Sequence, residues 1–208
     1  MKNKGYFISF EGIDGSGKST QIQKLAEFLE ARDFDIVITR EPGGSKGGEE
    51  IRNLLLQGNV DRWSAETEIL LFTAARRDHL ERIILPALEE GKIVICDRFT
   101  DSTIIYQGRD NLQLTKLIKQ LHLSIIGIIP DLTLIIDVDP KKALNRGLKR
   151  RSKEMRFEAF GLEFQTNARN SYIELSKTDK RYHLVDGNNS EEKVHQLIWQ
   201  KVYNFFGF

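Results

Sequence analysis

Short apolar runs alternate along the chain with longer segments in which apolar residues recur at helical spacing. The short runs cover residues 6–10, 35–39, 93–96, 132–136 and 183–185. Several of them are apolar throughout, which is typical of parallel strands that are buried on both faces. The intervening segments therefore predict helices on both sides of a parallel sheet, in a three-layer α/β fold with right-handed crossovers.

The segment after the first run has the clearest helical period. Ile22, Leu25, Ala26 and Leu29 follow the i, i+3, i+4, i+7 spacing of one buried helix face. No internal repeat, low-complexity tract or Pro/Gly-rich linker interrupts the alternation of strands and helices. We therefore interpret residues 1–208 as a single domain.

A long helix is predicted from residue 64 to about residue 90, and its apolar stripe contains one charge. The stripe runs through Ile69, Phe72, Arg76, Leu80, Ile83 and Ala87. Because an unpaired buried charge is costly, two interpretations of Arg76 stay open. Either Arg76 extends its guanidinium to solvent, or the stripe faces a cavity in which Phe72 offers a flat ring and Arg76 offers donors.

Length and composition exclude several classes of protein. The 208 residues are 40% hydrophobic, which is enough for a substantial core and excludes a disordered or collagen-like chain. The longest apolar stretch, residues 121–129, is interrupted by polar residues and falls short of the roughly 18 residues of a membrane span. The single cysteine, Cys96, and an N-terminus without a signal-peptide core favour a soluble, cytoplasmic protein.

A phosphate loop comes directly after the first predicted strand. The loop consists of Gly12, Ile13, Asp14, Gly15, Ser16, Gly17, Lys18 and Ser19. It matches the pattern of a glycine, any four residues and then Gly-Lys-Ser. In such a loop, backbone N–H groups and the N-terminus of the next helix surround anionic oxygens. Lys18 is expected to reach the β- and γ-phosphates, and Ser19 to ligate Mg²⁺. The motif thus predicts binding of a nucleoside triphosphate with Mg²⁺.

A carboxylate at the end of the third predicted strand fits the same site. Asp97 lies at the carboxyl edge of the sheet, where ligands of open α/β folds bind, and is expected to hold Mg²⁺ or its waters. Asp137, after the fourth strand, is a rival for that role. We prefer Asp97 because Arg98 accompanies it, whereas the sequence after Asp137 is typical of a helix cap.

Two arginines are predicted at this edge besides Lys18. Arg40 opens the Arg-Glu-Pro-Gly-Gly segment 40–44 after the second strand, and Arg98 comes after the third. Three cations exceed the need of one triphosphate, which indicates a second phosphate. The alternative is surface ion pairing, for example between Arg40 and Glu41.

Segment 101–108 adds hydroxyl, phenol and amide groups close to Arg98. The candidates are Ser102, Thr103, Tyr106 and Gln107. Together they supply the donors and acceptors needed to bind a base and a sugar. By itself, the segment is equally consistent with an ordinary helix start that has a capping serine.

In combination these motifs resemble thymidylate kinases. The resemblance is carried, in this order, by residues 12–20, 40–44, 70–72 with Arg76, 97–99, Ser102, Thr103, Tyr106, Gln107 and 156–158. It extends over nearly the whole chain and is far more specific than the phosphate loop alone. The resemblance implies a nucleoside monophosphate kinase with a five-stranded parallel sheet, ATP-dependent phosphorylation of dTMP to dTDP, and a homodimer.

The resemblance also implies residue roles. At the base of the acceptor, Phe72 is implied to stack on thymine, and Arg76 and Gln107 to bind the base. Ser102 and Thr103 are implied to line the substrate site, and Tyr106 to favour deoxyribose. Arg40 and Arg98 are implied to hold the 5′-phosphate, and Asp14 to lie near that phosphate and the 3′-hydroxyl. For the donor, residues 12–20, ending at Thr20, bind ATP and Arg146 packs against adenine.

Positive charge is concentrated where the resemblance implies a lid, at about residues 147–158. The chain has a net charge of +1, but residues 141–156 carry +7 and the remainder −6. Some thymidylate kinases have a catalytic arginine inside the phosphate loop, where this chain has Gly15. We therefore expect Arg150 or Arg151 to neutralise the transferred group together with Lys18, and spacing does not choose between them.

Other functions fit the sequence less well. A nucleic-acid site needs a groove or an aromatic platform, and only Phe157 and Phe160 lie near the basic segment. A GTPase would carry an Asn-Lys-x-Asp sequence, which is absent. A deoxynucleoside kinase, the nearest rival, would have less use for Arg40 and Arg98. We therefore expect dTMP and ATP as partners, and neither nucleic acid nor a membrane.

Overall fold

A five-stranded parallel sheet organises the computed structural model, which describes residues 5–59, 61–108, 111–148 and 161–207, with only the backbone at 147 and 148. The strands are β1 (Tyr6–Glu11), β2 (Ile36–Arg40), β3 (Ile93–Asp97), β4 (Leu132–Asp137) and β5 (Tyr182–Asp186). Their order is β2-β3-β1-β4-β5, and every neighbouring pair is parallel. The predicted fold class is confirmed, and each predicted strand lies within one residue of the observed one.

Helices connect and cover the strands. They are α1 (Lys18–Glu30), α2 (Lys46–Leu56), α3 (Ala65–His79), α4 (Leu85–Glu89), α5 (Thr100–Thr103), α6 (Leu112–Leu121), α7 (Pro140–Leu148), α8 (Leu162–Leu175) and α9 (Glu191–Phe206). Ser45, Ser64 and Ser190 precede α2, α3 and α9, and each side chain accepts a backbone N–H three residues later. These N-caps explain where the three helices begin. No helix of the described part of the chain is long and apolar enough to cross a membrane.

The two faces of the sheet contribute to separate apolar cores. Ile8 and Phe10 of β1 pack in the larger core, which includes the predicted stripe of α1 and residues of α8 and α9. Phe7 points the other way and packs with Leu80, Ile84 and neighbouring apolar residues. The alternation along β1 places helices on both sides, as the short apolar runs predicted.

The long helix predicted over 64–90 differs from an uninterrupted α-helix. A π-helical turn, Leu80–Ile84, joins α3 to α4. A π-turn contains one residue more than an α-turn and rotates the faces of the next helical turn. Ile84 is accordingly buried, while Ile83, the residue expected in the stripe, is only half-buried.

The strand ends bring the candidate site residues to one edge. Phe10 of β1 and Arg40 of β2 are both in register with Asp97 of β3. The phosphate loop leaves β1 at this level and leads into α1. The carboxyl edge of β1, β2 and β3 therefore carries the loop, both arginine-bearing connections and Asp97.

Candidate active site

The phosphate loop encloses the ammonium group of Lys18, the first residue of α1. Lys18 Nζ donates to the backbone oxygens of Gly12 and Ile13 at 3.0 and 3.1 Å. Burial, reinforced by the charge of Arg98, lowers the pKa of Lys18 to about 8. A buried cation whose hydrogen-bond acceptors among the described residues are neutral carbonyl oxygens is well suited to receive the negative oxygens of a phosphate.

Gly15 is in close contact with α7. Its φ is +77°, which lies in the left-handed region. A Cβ atom at this position would collide with the backbone oxygen of Ala143. No larger side chain fits here without moving α7, so the loop arginine of some family members has no room in this arrangement.

Ser19 and Asp97 meet at the mouth of the loop. Ser19 Oγ donates to Asp97 Oδ2 at 3.2 Å. Asp97 Oδ1 is buried and has no hydrogen-bond partner among the described residues. The rival carboxylate, Asp137, is bound through both oxygens by Arg169. The hydroxyl and the free carboxylate oxygen form an oxygen-donor pair of the kind that Mg²⁺ prefers.

Arg98 occupies a strained backbone position at the end of β3. Its φ is +71°, which is uncommon for a residue with a side chain. The guanidinium donates to Ser102 Oγ, Tyr172 Oη, Tyr106 Oη and Asp14 Oδ1. Burial would raise the pKa of Asp14, but Arg98 and Lys18 outweigh it and lower that pKa. Asp14 is therefore an anion positioned between two cations.

A cleft opens beside Arg98. It is lined by eight of the predicted residues, namely Asp14, Phe72, Arg76, Arg98, Ser102, Thr103, Tyr106 and Gln107. The aromatic ring of Phe72 and the donors of Arg76 thus share one cavity with the cation of Arg98. This corresponds to the second of the two interpretations of the charged stripe.

Arg76 does not extend to solvent, because its side chain is only 3% exposed. Its Nε donates to Glu41 Oε2 at 2.6 Å, and its Nη2 donates to Thr103 Oγ1 at 2.9 Å. The expected alternative of solvent exposure is wrong for this residue, since a buried carboxylate compensates the buried guanidinium.

Gln107 and Tyr106 lie on the π-helical turn Ile104–Gly108. Gln107 Nε2 donates to Glu68 Oε2 at 3.0 Å, which holds the amide in the cleft wall. Burial raises the pKa of Tyr106 above its usual value, so its phenol is neutral throughout the physiological range. Both side chains are thus held as neutral hydrogen-bonding groups.

Arg40 lies outside the cleft lining. Its Nη2 donates to both carboxylate oxygens of Glu49, at 2.9 and 3.0 Å, and the side chain is half-exposed. Glu41, the partner suggested for Arg40 by surface pairing, binds Arg76 instead. The assignment of Arg40 to an acceptor phosphate stays a prediction.

The lid residues Arg150 and Arg151, with segment 156–158, lie outside the described residues. Arg146 is described and is exposed near the end of α7. The same helix touches the phosphate loop at Ala143, one turn earlier. The proposed contact of Arg146 with adenine stays a prediction.

Comparison with known proteins agrees with the cleft and the loop. A family model described as thymidylate kinase matches residues 10–198. The chain belongs to the thymidylate kinase family. The motif resemblance found in the sequence is thereby confirmed.

Individual members of the family are similar over almost their whole length. The thymidylate kinase of Ruegeria pomeroyi is 56% identical over 195 residues, which are 93% of this chain and 92% of that protein. The one from Caulobacter vibrioides is 49% identical over 206 residues, covering 98% and 99%. The crystal structure of thymidylate kinase from Ehrlichia chaffeensis matches with a TM-score of 0.77 at 36% identity, covering 96% of this chain and 99% of that one.

Sequence reasoning overlooked Arg52 of α2, which lines the cleft. Arg52 Nη1 donates to the backbone oxygen of Pro42 at 2.6 Å, so α2 brings this arginine to the loop after β2. In the sequence Arg52 is simply one polar residue of a helix. The only signal in the sequence was its position eight residues after the end of the Arg-Glu-Pro-Gly-Gly segment.

Glu11, at the end of β1, was also overlooked. Its carboxylate accepts hydrogen bonds from Phe99 N, Ser102 Oγ and Tyr172 Oη. Burial, together with the charge of Asp101, raises the pKa of Glu11 to about 7, against the opposing charge of Arg98. Glu11 thereby ties β1, the start of α5 and α8 together behind Arg98. A charged residue directly before the phosphate loop was the signal for it.

Proposed function

We propose that this chain transfers the γ-phosphoryl group of ATP to dTMP and releases ADP and dTDP. The supporting observation is one cleft in which Phe72, Arg76 and Gln107 lie together with Arg98 and Asp14, next to the phosphate loop. Membership of the thymidylate kinase family identifies the reaction. We further propose that residues 1–208 form one kinase domain with a lid at about 147–158.

The apolar end of the cleft would receive the base. In this proposal Phe72 stacks on thymine, and Arg76 and Gln107 provide hydrogen bonds to its edge, supported by their common position in the cleft wall. Tyr106, held by Arg98 and Asp14, would lie beside the sugar and leave no room for a 2′-hydroxyl.

The cationic end would receive the acceptor phosphate. We assign this role to Arg98 and to Arg52, because both line the cleft, with Arg40 as a further candidate. Asp14 would orient Arg98 and lie close to the 3′-hydroxyl. Since the attacking oxygen is already anionic, no general base is required. The chain's task is to align the two phosphates and to neutralise the charge on the moving group.

The donor would bind through the phosphate loop. Residues 12–20 surround the β- and γ-phosphates with backbone N–H groups, and Lys18 supplies the charge. Arg146 is proposed to pack against adenine. Its place one turn after the helix–loop contact at Ala143 supports this.

A magnesium ion is proposed at Ser19 and Asp97. The fit rests on the buried Asp97 Oδ1 atom, which lacks a hydrogen-bond partner among the described residues, and on the adjacent Ser19 hydroxyl. When bound, Mg²⁺ would neutralise and orient the β- and γ-phosphates. The two residues would hold the ion directly or through its waters.

Asp97→Asn is expected to increase the Mg²⁺ concentration for half-maximal activity about tenfold or more, because the neutral amide is a poorer ligand of the same shape. The measurement is a magnesium titration of dTMP-dependent ADP release. Asp139→Asn is the matched control, since Asp139 caps α7 and asparagine caps equally well. An unchanged Mg²⁺ requirement in Asp97→Asn would contradict the site.

A lid arginine is proposed to complete the neutralisation of charge. The lack of room beside Gly15 supports a source outside the phosphate loop. Alanine at Arg150 or Arg151 is expected to lower kcat roughly 100-fold with little change in the KM for dTMP. Steady-state kinetics of both variants, with Lys153→Ala as control, would measure this. Full kcat in both single variants would eliminate the lid role.

Monophosphate selectivity tests the proposed reaction directly. ADP release is measured with dTMP, dUMP, dCMP, UMP and thymidine at saturating ATP. We expect the highest kcat/KM with dTMP. Rapid turnover of dCMP or UMP without turnover of dTMP would overturn the proposal, and rapid turnover of thymidine would favour a nucleoside kinase.

We also propose a homodimer built on the face of α3 that does not line the cleft. Leu70 on α3 is 55% exposed, and Leu123, after α6, is 76% exposed. Arg77 Nη1 donates to the backbone oxygen of Ile125, which joins the two segments into one surface. Exposed leucines on adjoining elements are typical of an interface.

Leu70→Glu is expected to convert the dimer to a monomer, because two facing carboxylates would be buried without partners. Sedimentation equilibrium measures the mass of the particle. Leu184→Glu on β5 is the control, since Leu184 is an exposed leucine at the opposite edge of the sheet. A wild-type protein of monomer mass would refute the proposed dimer.

The remaining expectations concern location and partners. We propose a cytoplasmic enzyme, supported by its single, buried cysteine, which fits a reducing compartment. We propose that its ligands are nucleotides and that it has no nucleic-acid or membrane partner. The acidic remainder of the chain outside the basic segment supports this view.

A further inference from the structure

His79 is a buried titratable residue that the proposed reaction does not use. It is the last residue of α3 and is 0% exposed. Its Nε2 lies 2.6 Å from Thr39 Oγ1, and its Nδ1 lies 3.1 Å from Glu41 Oε1. The imidazole therefore connects the end of α3 with the end of β2 and the loop after it.

The loop after β2 closes directly over this imidazole. Gly44 has a φ of +83°, and a Cβ atom there would collide with both His79 Nε2 and Thr39 Oγ1. The second glycine of the Arg-Glu-Pro-Gly-Gly segment is thus what allows the loop to seal the histidine from solvent.

The hydrogen-bond partners determine which ring nitrogen carries a proton. A carboxylate accepts but does not donate, so His79 Nδ1 must carry a proton toward Glu41. In the neutral ring Nε2 then accepts the hydroxyl proton of Thr39. Each ring nitrogen therefore has one complementary partner.

The Glu41 carboxylate connects His79 to Arg76. One carboxylate oxygen faces His79, and the other accepts from Arg76 Nε at 2.6 Å. Thr103 fixes Arg76 Nη2 on the other side, while Nη1 has no hydrogen bond to the described residues. The guanidinium lines the cleft and is held through two of its three nitrogens.

We propose that His79 is a positioning residue for base recognition: it holds the Glu41 carboxylate, and Glu41 holds Arg76 at the angle from which its remaining nitrogen meets the 4-carbonyl of thymine. The proposal rests on the proposed function, in which Arg76 binds the base. His79 itself touches no substrate. A ligand with an amino group at position 4, such as dCMP, offers no acceptor to the same nitrogen.

Two variants separate positioning from simple packing. An asparagine amide reproduces the location of Nδ1, so His79→Asn keeps a donor toward Glu41 and loses the Thr39 contact. A glutamine amide reproduces the location of Nε2, so His79→Gln keeps the Thr39 contact and loses the donor. Both replace a buried ring with a smaller amide, and a packing role would affect them alike.

The experiment measures kcat and KM with dTMP and dCMP for wild type, His79→Asn and His79→Gln. For His79→Gln we expect an approximately tenfold higher KM for dTMP and an approximately tenfold lower preference for dTMP over dCMP. His79→Asn is expected within about threefold of wild type, and the KM for ATP should stay constant in both. His183→Gln on β5 is the control for a histidine far from the cleft.

The outcomes distinguish a failure of the proposed function from a failure of the proposed role of His79. A wild type that does not phosphorylate dTMP refutes the proposed function. An active wild type with equal effects in His79→Asn and His79→Gln, or with an unchanged dTMP/dCMP ratio in both, overturns the role of His79. If either variant does not fold, ¹⁵N NMR of the wild-type imidazole decides: a proton on Nδ1 supports the proposal, and an unprotonated Nδ1 rejects it.

Discussion

Lys18→Met is expected to lower kcat roughly 1,000-fold while the fold persists. Methionine keeps the length and apolar stem of lysine but removes the charge that the phosphate loop holds beside the transferred group. The two carbonyl oxygens that accept from Nζ, those of Gly12 and Ile13, lose one donor each. Steady-state ADP release at saturating ATP and dTMP measures the effect.

The same variant has a stability consequence whose sign is set by the pKa of Lys18. Burial lowers that pKa from 10.5 to about 8, so the charged form is costly in the folded protein. Between pH 8 and 10.5 the unfolded chain binds more protons, and wild-type stability therefore rises with pH. Below pH 8 the full cost is present. Without nucleotide, we expect Lys18→Met to be more stable than wild type at pH 7, and the gain should shrink near pH 10.5.

Urea unfolding at the two pH values tests this prediction. Lys24→Met is the control, because Lys24 also lies on α1 but pairs with Glu191 at the surface. It should keep full kcat. A Lys18→Met protein that unfolds more easily than wild type at pH 7 would show that the loop needs the ammonium for its structure.

Arg98→Ala is expected to combine a large loss of activity with a loss of stability. We expect kcat/KM for dTMP to fall by about three orders of magnitude, because the acceptor phosphate loses its main cation. The folded protein also loses the hydrogen bonds of Arg98 to Ser102, Tyr172, Tyr106 and Asp14. Without the guanidinium, the buried carboxylate of Glu11 and the partly exposed carboxylate of Asp14 lose a compensating positive charge.

The pH dependence of the free energy of unfolding identifies the electrostatic part of this loss of stability. Arg98 and Lys18 lower the pKa of Asp14 against the effect of burial. A carboxyl with a lowered folded pKa stabilises the protein above its unfolded pKa of 3.8, and that stability is lost as the pH falls through the folded value. The stability difference between wild type and Arg98→Ala that arises from Asp14 should therefore be present at neutral pH and should shrink as the pH falls below 3.8.

Kinetics at pH 7 and chemical unfolding at pH 7 and at a pH below 3.8 measure both effects. Arg82→Ala removes an arginine that is 73% exposed, and it should change neither quantity appreciably. An Arg98→Ala variant whose KM for dTMP stays within twofold of wild type would move the acceptor phosphate to Arg52 or Arg40.

Local motifs accounted for much of the candidate site. The phosphate loop is contiguous in the chain, so residues 12–19 were identified from spacing alone. Asp97 and Arg98 were identified because strand ends of a parallel sheet meet at one edge. The cleft residues within 102–107 follow β3 so closely in the chain that they lie at the same edge of the sheet.

Whether an arginine near the Arg-Glu-Pro-Gly-Gly segment lines the cleft depends on helix orientation. Arg40 and Arg52 both carry a guanidinium near the Arg-Glu-Pro-Gly-Gly segment, but Glu49 holds Arg40 outside the cleft lining, and α2 directs Arg52 into it. Helical period gives the relative angle of residues on one helix, but not the angle of that helix to its neighbours.

By itself, the sequence determined the α/β class, the strands, the phosphate loop, the edge of the sheet that binds ligands and the family. All of these depend on the spacing of residues that are close in the sequence, and the geometry of helices and strands fixes that spacing. Only the tertiary structure decided that Arg76 is buried, that Glu41 pairs with it rather than with Arg40, and that His79 stands behind Glu41. Those partners come from α3 and from the loop after β2, and they meet only when the helix packs against the sheet.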